Sequence, residues 1–289
     1  MAVIDSHHHL WWTARRAHRW PDAVGDRLAR DFTPEDLVPE LRAAGVDGTI
    51  LVQSLNDQEE TREYLALAGT LAFVRGVVGW IPLDAPETVG RTIAERRARG
   101  PLVGIRHLTI LNPDAAWLTG PRTLASLAEI ARAGLVFEIV AVTRGQYDAL
   151  GEVAKRVPEL RIVIDHLGRP PIPEQGWEPW ASLIREIAQH RNVAIKLSAG
   201  LDIVMNWTWS TDAMRRYVEH VLACFGPDRV MAASNWPVVL LAATYQQAWR
   251  GIEDLISGLS PPERAVVLGG AAERIYGLPV LSTRAEVGT

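Results

Sequence analysis

The chain has 289 residues and one cysteine, Cys224, so an intramolecular disulfide is excluded and the composition suits a reducing cytoplasm. Cys224 follows an apolar helical stretch and is expected to be a buried, inert thiol. No apolar run is long enough to cross a bilayer. The opening MAVIDSHHHLWW lacks the basic segment, apolar stretch and cleavage site of a signal peptide. A net charge of −4 gives no reason to expect nucleic acid or an anionic membrane as partner. No G-x-G-x-x-G turn and no P-loop pattern is present. Phenylalanine is scarce, at 4 copies, whereas tryptophan is abundant, at 11.

What is present is alternation. Eight short β-like runs read AVID (2–5), GTILVQ (48–53), VRGVVGWI (74–81), VGIRHL (103–108), VFEIVAV (136–142), RIVIDHL (161–167), VAIKLSA (193–199) and RVMAAS (229–234). Most are near-continuous Val, Ile, Leu and Ala, as in parallel strands buried on both faces. Helical periodicity fills the gaps. Residues 33–45, TPEDLVPELRAAG, carry a Thr cap, a first-turn Pro, acids behind it and a terminal Gly. Residues 120–134, 148–158 and 211–226 behave likewise, the last with Met214, Tyr217, Val218, Val221, Leu222 and Phe225 on one face. Eight strand–helix units point to a single-domain (β/α)8 barrel over residues 1–279 with a loose tail at 280–289. The competing doubly wound sheet lacks its Gly-rich first turn, because histidines stand there instead.

Barrel active sites lie at the C-terminal ends of the strands. The polar residues expected there are His7, His8 and His9, then Gln53, Trp80, Arg106 and His107, Glu138, His166, Lys196 and Ser198, and Asn235. His7 and His9 are two apart, so in extended backbone they share a side and can offer two neutral nitrogens to a metal. The alternative is an exposed polar turn. His166 is either a ligand or a hydrogen-bonded structural residue, and Asp165 beside it orients a ring or caps a turn. Arg106 is either an anion clamp or a salt-bridge partner in the rim. Lys196, inside an apolar strand, needs a partner, for which Glu138 is the candidate. Trp11, Trp12, Trp80, Trp207, Trp209 and Trp236 fall at predicted strand ends and loops, where several together would form an aromatic wall suited to a flat lactone, an aryl group or a sugar face. Arg15, Arg16 and Arg19 form either a solvated loop or an attractor for an anionic substrate.

Taken in order, IDSHHHLWW, RDFTPEDLVPELRAAGVDGTILVQ, RGVVGWIPL, GIRHL, VIDHLGRP, IKLSAG, FGPDRVMAASNWPV and ERAVVLGGAAERIYGL resemble the amidohydrolase superfamily. The closer likeness is to its amidohydrolase-2 branch of lactonases, with fuconolactonase, sulfomuconolactone hydrolase and pyrone-dicarboxylate lactonase. The likeness spans nearly the whole chain. It implies a distorted barrel that hydrolyses a small lactone. It also implies that His7, His9 and His166 hold a metal, Zn²⁺ being the expected ion with a metal-free mechanism also open, and that Arg106 binds substrate. Gln53, Trp11, Trp80, Glu138, His107 and Trp236 are further expected substrate contacts. A homo-oligomer is compatible with this fold.

The resemblance breaks at Asn235, where the branch has an aspartate in an S-D-W-P motif. An amide is nearly the same shape but cannot take a proton from water at neutral pH. Three readings follow: a chain inactivated by an isosteric exchange, which the otherwise intact motif favours; a divergent enzyme whose base is His107 or Glu138; or a barrel retired to small-molecule binding. A decarboxylase of the same superfamily is the alternative reaction. Ala271 is a second departure, where Asn is usual, and is expected to concern packing of the last helix.

Overall fold

A computed structural model describes residues 1–109 and 114–279; the tail expected at 280–289 lies outside them. Eight parallel strands pair in sequence order and form a nearly closed barrel. They are β1 (Ile4–His8), β2 (Gly48–Val52), β3 (Val74–Gly79), β4 (Leu102–His107), β5 (Val136–Ile139), β6 (Arg161–Ile164), β7 (Val193–Leu197) and β8 (Val230–Ala232). Among the described residues no helix is long and apolar enough to cross a membrane.

Local signals set the helices. In α1 (Pro34–Ala44), Thr33 and Asp36 form a reciprocal capping box, Pro34 occupies the first turn, and Gly45 ends the helix at φ 66°. Its apolar Leu37 and Leu41 are buried. Helices α2 (Gln58–Ala68), α3 (Pro86–Arg97), α4 (Pro121–Arg132), α5 (Arg144–Arg156) and α6 (Trp180–Ile187) follow successive strands. After β7 come a short α7 (Leu201–Val204) and the longer α8 (Thr211–Phe225), and after β8 come α9 (Tyr245–Leu255), α10 (Pro261–Ala265) and α11 (Ala271–Tyr276). Cys224, on α8, is half-buried with its thiol 3.7 Å from His220, and burial pushes that thiol up.

The strands read with period two. Leu51, Val77, Ile105, Phe137, Ile162 and Ile195 face the helices, and Ile50, Val52, Val78, Val136, Val163, Ala194 and Met231 face inward. The inner set packs against Ala271, Ala272, Ile275 and Tyr276, so α11 plugs one end of the barrel. Ala271 is fully buried there. Two residues on from Val136, Val163 and Ala194 come Glu138, Asp165 and Lys196. The interior therefore changes from apolar to charged within one step of the pleat. Tyr276 reaches up from α11 and donates to Glu138.

Two strand expectations need correction. β1 runs on from Asp5 to His8 rather than ending at Asp5. Polar residues stay in this strand because they are satisfied inside: Asp5 accepts from Ser234 N at 2.8 Å, Ser234 Oγ at 2.6 Å and Tyr245 at 3.1 Å, and His8 meets Thr49 Oγ1 at 2.9 Å. β5 ends at Ile139, not Val142, since Val140 and Ala141 already belong to the turn leading to Thr143, the cap of α5.

The buried phenol–carboxylate contact is a test of how α11 holds the barrel. Tyr276→Phe should lower unfolding stability by about 1–3 kcal/mol, read as a lower urea midpoint with an unchanged slope. An unmoved midpoint would mean that the contact adds nothing.

Candidate active site

The strand ends converge on one cavity of about 550 Å³. His9, His166, Arg106 and Asn235 form its inner wall. Behind them lies a buried ion cluster. Lys196 Nζ lies 2.6 Å from Glu138 Oε2 and 3.3 Å from Asp165 Oδ1, and Arg106 Nη1 lies 3.1 Å from Asp165 Oδ2. The side chains of Lys196, Glu138 and Asp165 have no solvent exposure and that of Arg106 only 4%. Burial pushes the Asp165 carboxyl up, but the Lys196 ammonium, His7 and Arg106 outweigh it and hold it well below the usual carboxylate range.

His7 sits on this cluster. Its Nδ1 lies 3.1 Å from Lys196 Nζ and 3.4 Å from Asp165 Oδ1, and its Nε2 lies 3.1 Å from His9 Nε2. His9 Nδ1 is turned to Val52 O at 2.8 Å, and His166 Nδ1 to Ser198 Oγ at 2.9 Å. Burial first, and nearby cations second, push His7 and His9 well below the ordinary imidazole value; burial takes His166 to about 3. All three rings are therefore neutral near pH 7.

These residues fit a metal such as zinc. Ligating imidazoles must be neutral and are commonly fixed through their second nitrogen by a carbonyl, hydroxyl or carboxylate, as here. With Nδ1 of His9 donating to Val52, its Nε2 presents a lone pair to His7 Nε2, and a proton or cation must be shared across that 3.1 Å gap. His7, Asp165 and His166 also offer ligand atoms within 4.8 Å of one another. Arg106 Nη1, 3.3 Å from His7 Nε2, borders the same position.

Asn235 follows β8 with φ 58°, a left-handed conformation that asparagine tolerates better than most residues. Its backbone N donates to His7 O at 2.9 Å and its Nδ2 to Ala199 O at 2.8 Å; its Oδ1 is buried without a hydrogen-bond partner. Arg106 Nε is likewise unpartnered.

Other expected contacts lie elsewhere. Trp236 is 2% exposed and packs edge-on against Phe32 at 5.5 Å, because it points opposite to its neighbour Asn235. His107 alternates with Arg106 along β4 and so faces outward, where it accepts from Trp80 Nε1 at 3.0 Å and stacks with Trp117 at 4.4 Å. Neither it nor Trp80 lines the cavity. Glu138 lies in the ion cluster beneath, and Gln53 Nε2 donates to Arg106 O at 3.2 Å, joining strand ends rather than facing the cavity. Trp207 and Trp209 pack on each other at 5.7 Å, and Trp12 lies under Arg15 at 4.4 Å. Of the expected aromatic wall, Trp11 remains. Trp20 and His18 join it, mutually stacked at 5.3 Å and 7°, a cluster carried by the loop read only for its arginines. Arg16 is spent on Asp57 at 2.9 Å and Glu63 at 2.7 Å, whereas Arg19 lines the cavity. Arg169 and Asp202 also line it and were not singled out by sequence; the signal was present in VIDHLGRP for the first.

A (β/α)8 barrel with imidazoles, a guanidinium and a strand-8 side chain gathered at the strand ends is the architecture of a barrel hydrolase. The chain belongs to the amidohydrolase family, whose model matches residues 4–278, and it is a hydrolase. It is 37% identical over 285 residues to an L-fucono-1,5-lactonase of Burkholderia ambifaria, with 94% of each chain covered. An L-fucono-1,5-lactonase of Burkholderia multivorans is 32% identical over 290 residues, with 96% of each covered. A crystal structure of an amidohydrolase from Burkholderia multivorans with bound zinc superposes with a TM-score of 0.86 at 30% identity, covering 96% of this chain and 100% of that one.

The buried neutral histidines make stability depend on acid. His8 and His166 have folded values near 3, well below the unfolded value of 6.5, so their contribution is complete above 6.5 and is lost as pH falls below it. At pH 5 each should cost about 2 kcal/mol. Urea titrations between pH 7.5 and 5 should show this loss, and His8→Gln should remove about one proton from the slope; a flat profile would contradict neutral burial.

Proposed function

We propose that this chain binds a small lactone and opens its ring by hydrolysis, that Zn²⁺ is its metal, and that Asn235 stands where the proton-accepting carboxylate belongs, leaving the chain impaired. The observation that carries the reading is the convergence of His9, His166, Arg106 and Asn235 on one wall of one cavity, in a chain that spans nearly the full length of lactonase relatives.

His7, His9 and His166 would hold the ion. When bound, zinc supplies Lewis acidity to the ester carbonyl and lowers the pKa of water. The remaining work belongs to the chain. Arg106, fixed by Asp165 and by its contact to Gln53 O, has an Nε–H left to donate to the lactone. The oxygen of residue 235 is placed at the same wall, where it can accept a hydrogen bond from the attacking water. An aspartate there could then take the proton and return it to the leaving ring oxygen; an amide orients the water but cannot take its proton. His107 faces away and Glu138 lies below, bonded to Lys196 and Tyr276, so neither is placed to replace it.

The test compares this chain with Asn235→Asp, with and without Zn²⁺, on sugar, aryl and dicarboxylate lactones. The aspartate form should gain roughly 10²–10⁴-fold in turnover to ring-opened acid. An active asparagine form that gains nothing would place the base elsewhere, and released CO₂ would replace hydrolysis by decarboxylation. Separately, Zn²⁺ at 100 times its Kd should stabilise the folded chain by about 2.7 kcal/mol, and His9→Ala should abolish that shift; equal shifts in both would remove the histidines from the metal site.

A further inference from the structure

The cavity wall beyond the histidines carries an ion pair whose polar capacity is half spent. Asp202, on α7, lies 2.8 Å from Arg169 Nη2 through its Oδ2. The contact uses one oxygen and one nitrogen. Arg169 Nε and Asp202 Oδ1 are both buried without a hydrogen-bond partner. One is a donor and the other an acceptor, on facing members of one pair.

The backbone is bent sharply to put them there. His166, Leu167, Gly168 and Arg169 have φ of 56°, 52°, 65° and 57°, a run of left-handed residues of which only one is glycine. The run is pinned by Tyr147 OH donating to Gly168 O at 3.0 Å, Trp180 Nε1 donating to Leu167 O at 2.9 Å, and Arg169 N donating to His166 O at 2.8 Å. Its outcome is that His166 and Arg169, three residues apart, both line the same cavity. Strained backbone of this kind persists where the surroundings over-determine it and gathers at ligand sites. The facing loop is equally tight: a Cβ on Gly200 would meet Asp202 Oδ1 at 2.8 Å and His166 Cβ at 3.4 Å. Pair and histidine are therefore held in fixed relation.

We propose that Arg169 and Asp202 are specificity residues that select lactones bearing free hydroxyl groups on the carbons remote from the ester. This rests on the lactone reading above. A hydroxyl both accepts and donates, so one such group can take the Nε–H of Arg169 and give its proton to Asp202 Oδ1. A methylene or aryl edge leaves both atoms buried and unpaired, which is the basis on which hydrogen-bonding sites reject deoxy analogues most strongly. Charge decides against an acidic substituent. Among the described residues lining the cavity Asp202 is the single carboxylate, and it already neutralises Arg169, so a substrate carboxylate at this end meets repulsion. The neighbours Leu201, Met205 and Val238 suit the apolar face of the same ring.

The test uses calorimetry on the chain as it stands, with a trihydroxylated six-membered sugar lactone, its monodeoxy analogues, δ-valerolactone and a dicarboxylate lactone as probes. The sugar lactone should bind about 100-fold more tightly than valerolactone. Asp202→Ala should collapse that ratio to within a few-fold, and Asp202→Asn, which keeps an oxygen for Arg169, should fall between, with circular dichroism matching the parent. A ratio unchanged in Asp202→Ala, or a dicarboxylate lactone bound more tightly than the sugar lactone, overturns the assignment. In the Asn235→Asp background the kcat/KM ratio between the same lactones should follow the affinities. Selective binding without turnover by that form would sink the reaction reading and leave the pair intact; no binding of any lactone would sink both.

Discussion

Two cations and two carboxylates share the closed interior of this barrel, and the site is arranged around the need to keep them paired. Arg106, Glu138, Asp165 and Lys196 project inward from consecutive parts of the sheet, one step of the pleat above an apolar layer. Any one of them alone in that place would be strongly unfavourable. Together they are close to neutral, and each has a neighbour within hydrogen-bond reach. The chain holds two lysines, Lys155 and Lys196, and one of them is committed to this cluster. The consequence for chemistry is positional. His7 is wedged between Lys196 and Asp165, so its ring angle follows from charge pairing; His9 and His166 then settle against a carbonyl and a hydroxyl.

The cavity above has two functional ends. The inner end is built from rigid strand termini and holds nitrogen donors with little freedom. The outer end is built from loops after β6 and β7 and from the segment carrying Trp11, His18 and Trp20. The first sets what kind of bond is broken and the second sets which molecule presents it. This division lets relatives of one fold keep the histidines and change the outer loops.

Much of this was legible in the sequence because it is periodic. Apolar runs marked the strands, and Thr33, Pro34 and Gly45 marked the bounds of α1. The strand-end rule brought His7, His9, Arg106, His166, Lys196 and Asn235 to one mouth, and the pairing of Lys196 with Glu138 followed from the cost of a lone buried ammonium. Errors came from parity. Trp236 and His107 are each one residue from an inward-facing group, and one residue on a strand is a change of face. β1 was cut short because its last residues are polar, although buried partners keep them in the sheet. Tyr276 and Asp202 were invisible for another reason. Their partners stand 138 residues and 33 residues away in the chain, and no local pattern records such a meeting.

The barrel closes through loop and side chains more than through strand pairing. Asn235 N donates to His7 O, His9 N donates to Trp236 O at 2.7 Å, and Asp5 is gripped by Ser234 and Tyr245. The seam thus joins the first ten residues to a segment more than 220 residues later, and it is the seam that holds His7, His9 and Asn235. During synthesis the first histidines leave the ribosome long before anything exists to hold them. β1 must wait, one edge unpaired, until the segment after β8 has emerged, and α11 must follow to fill the barrel from beneath. Catalytic competence is therefore the last property the nascent chain acquires, and the growing polypeptide depends on protection of that first strand for most of its translation.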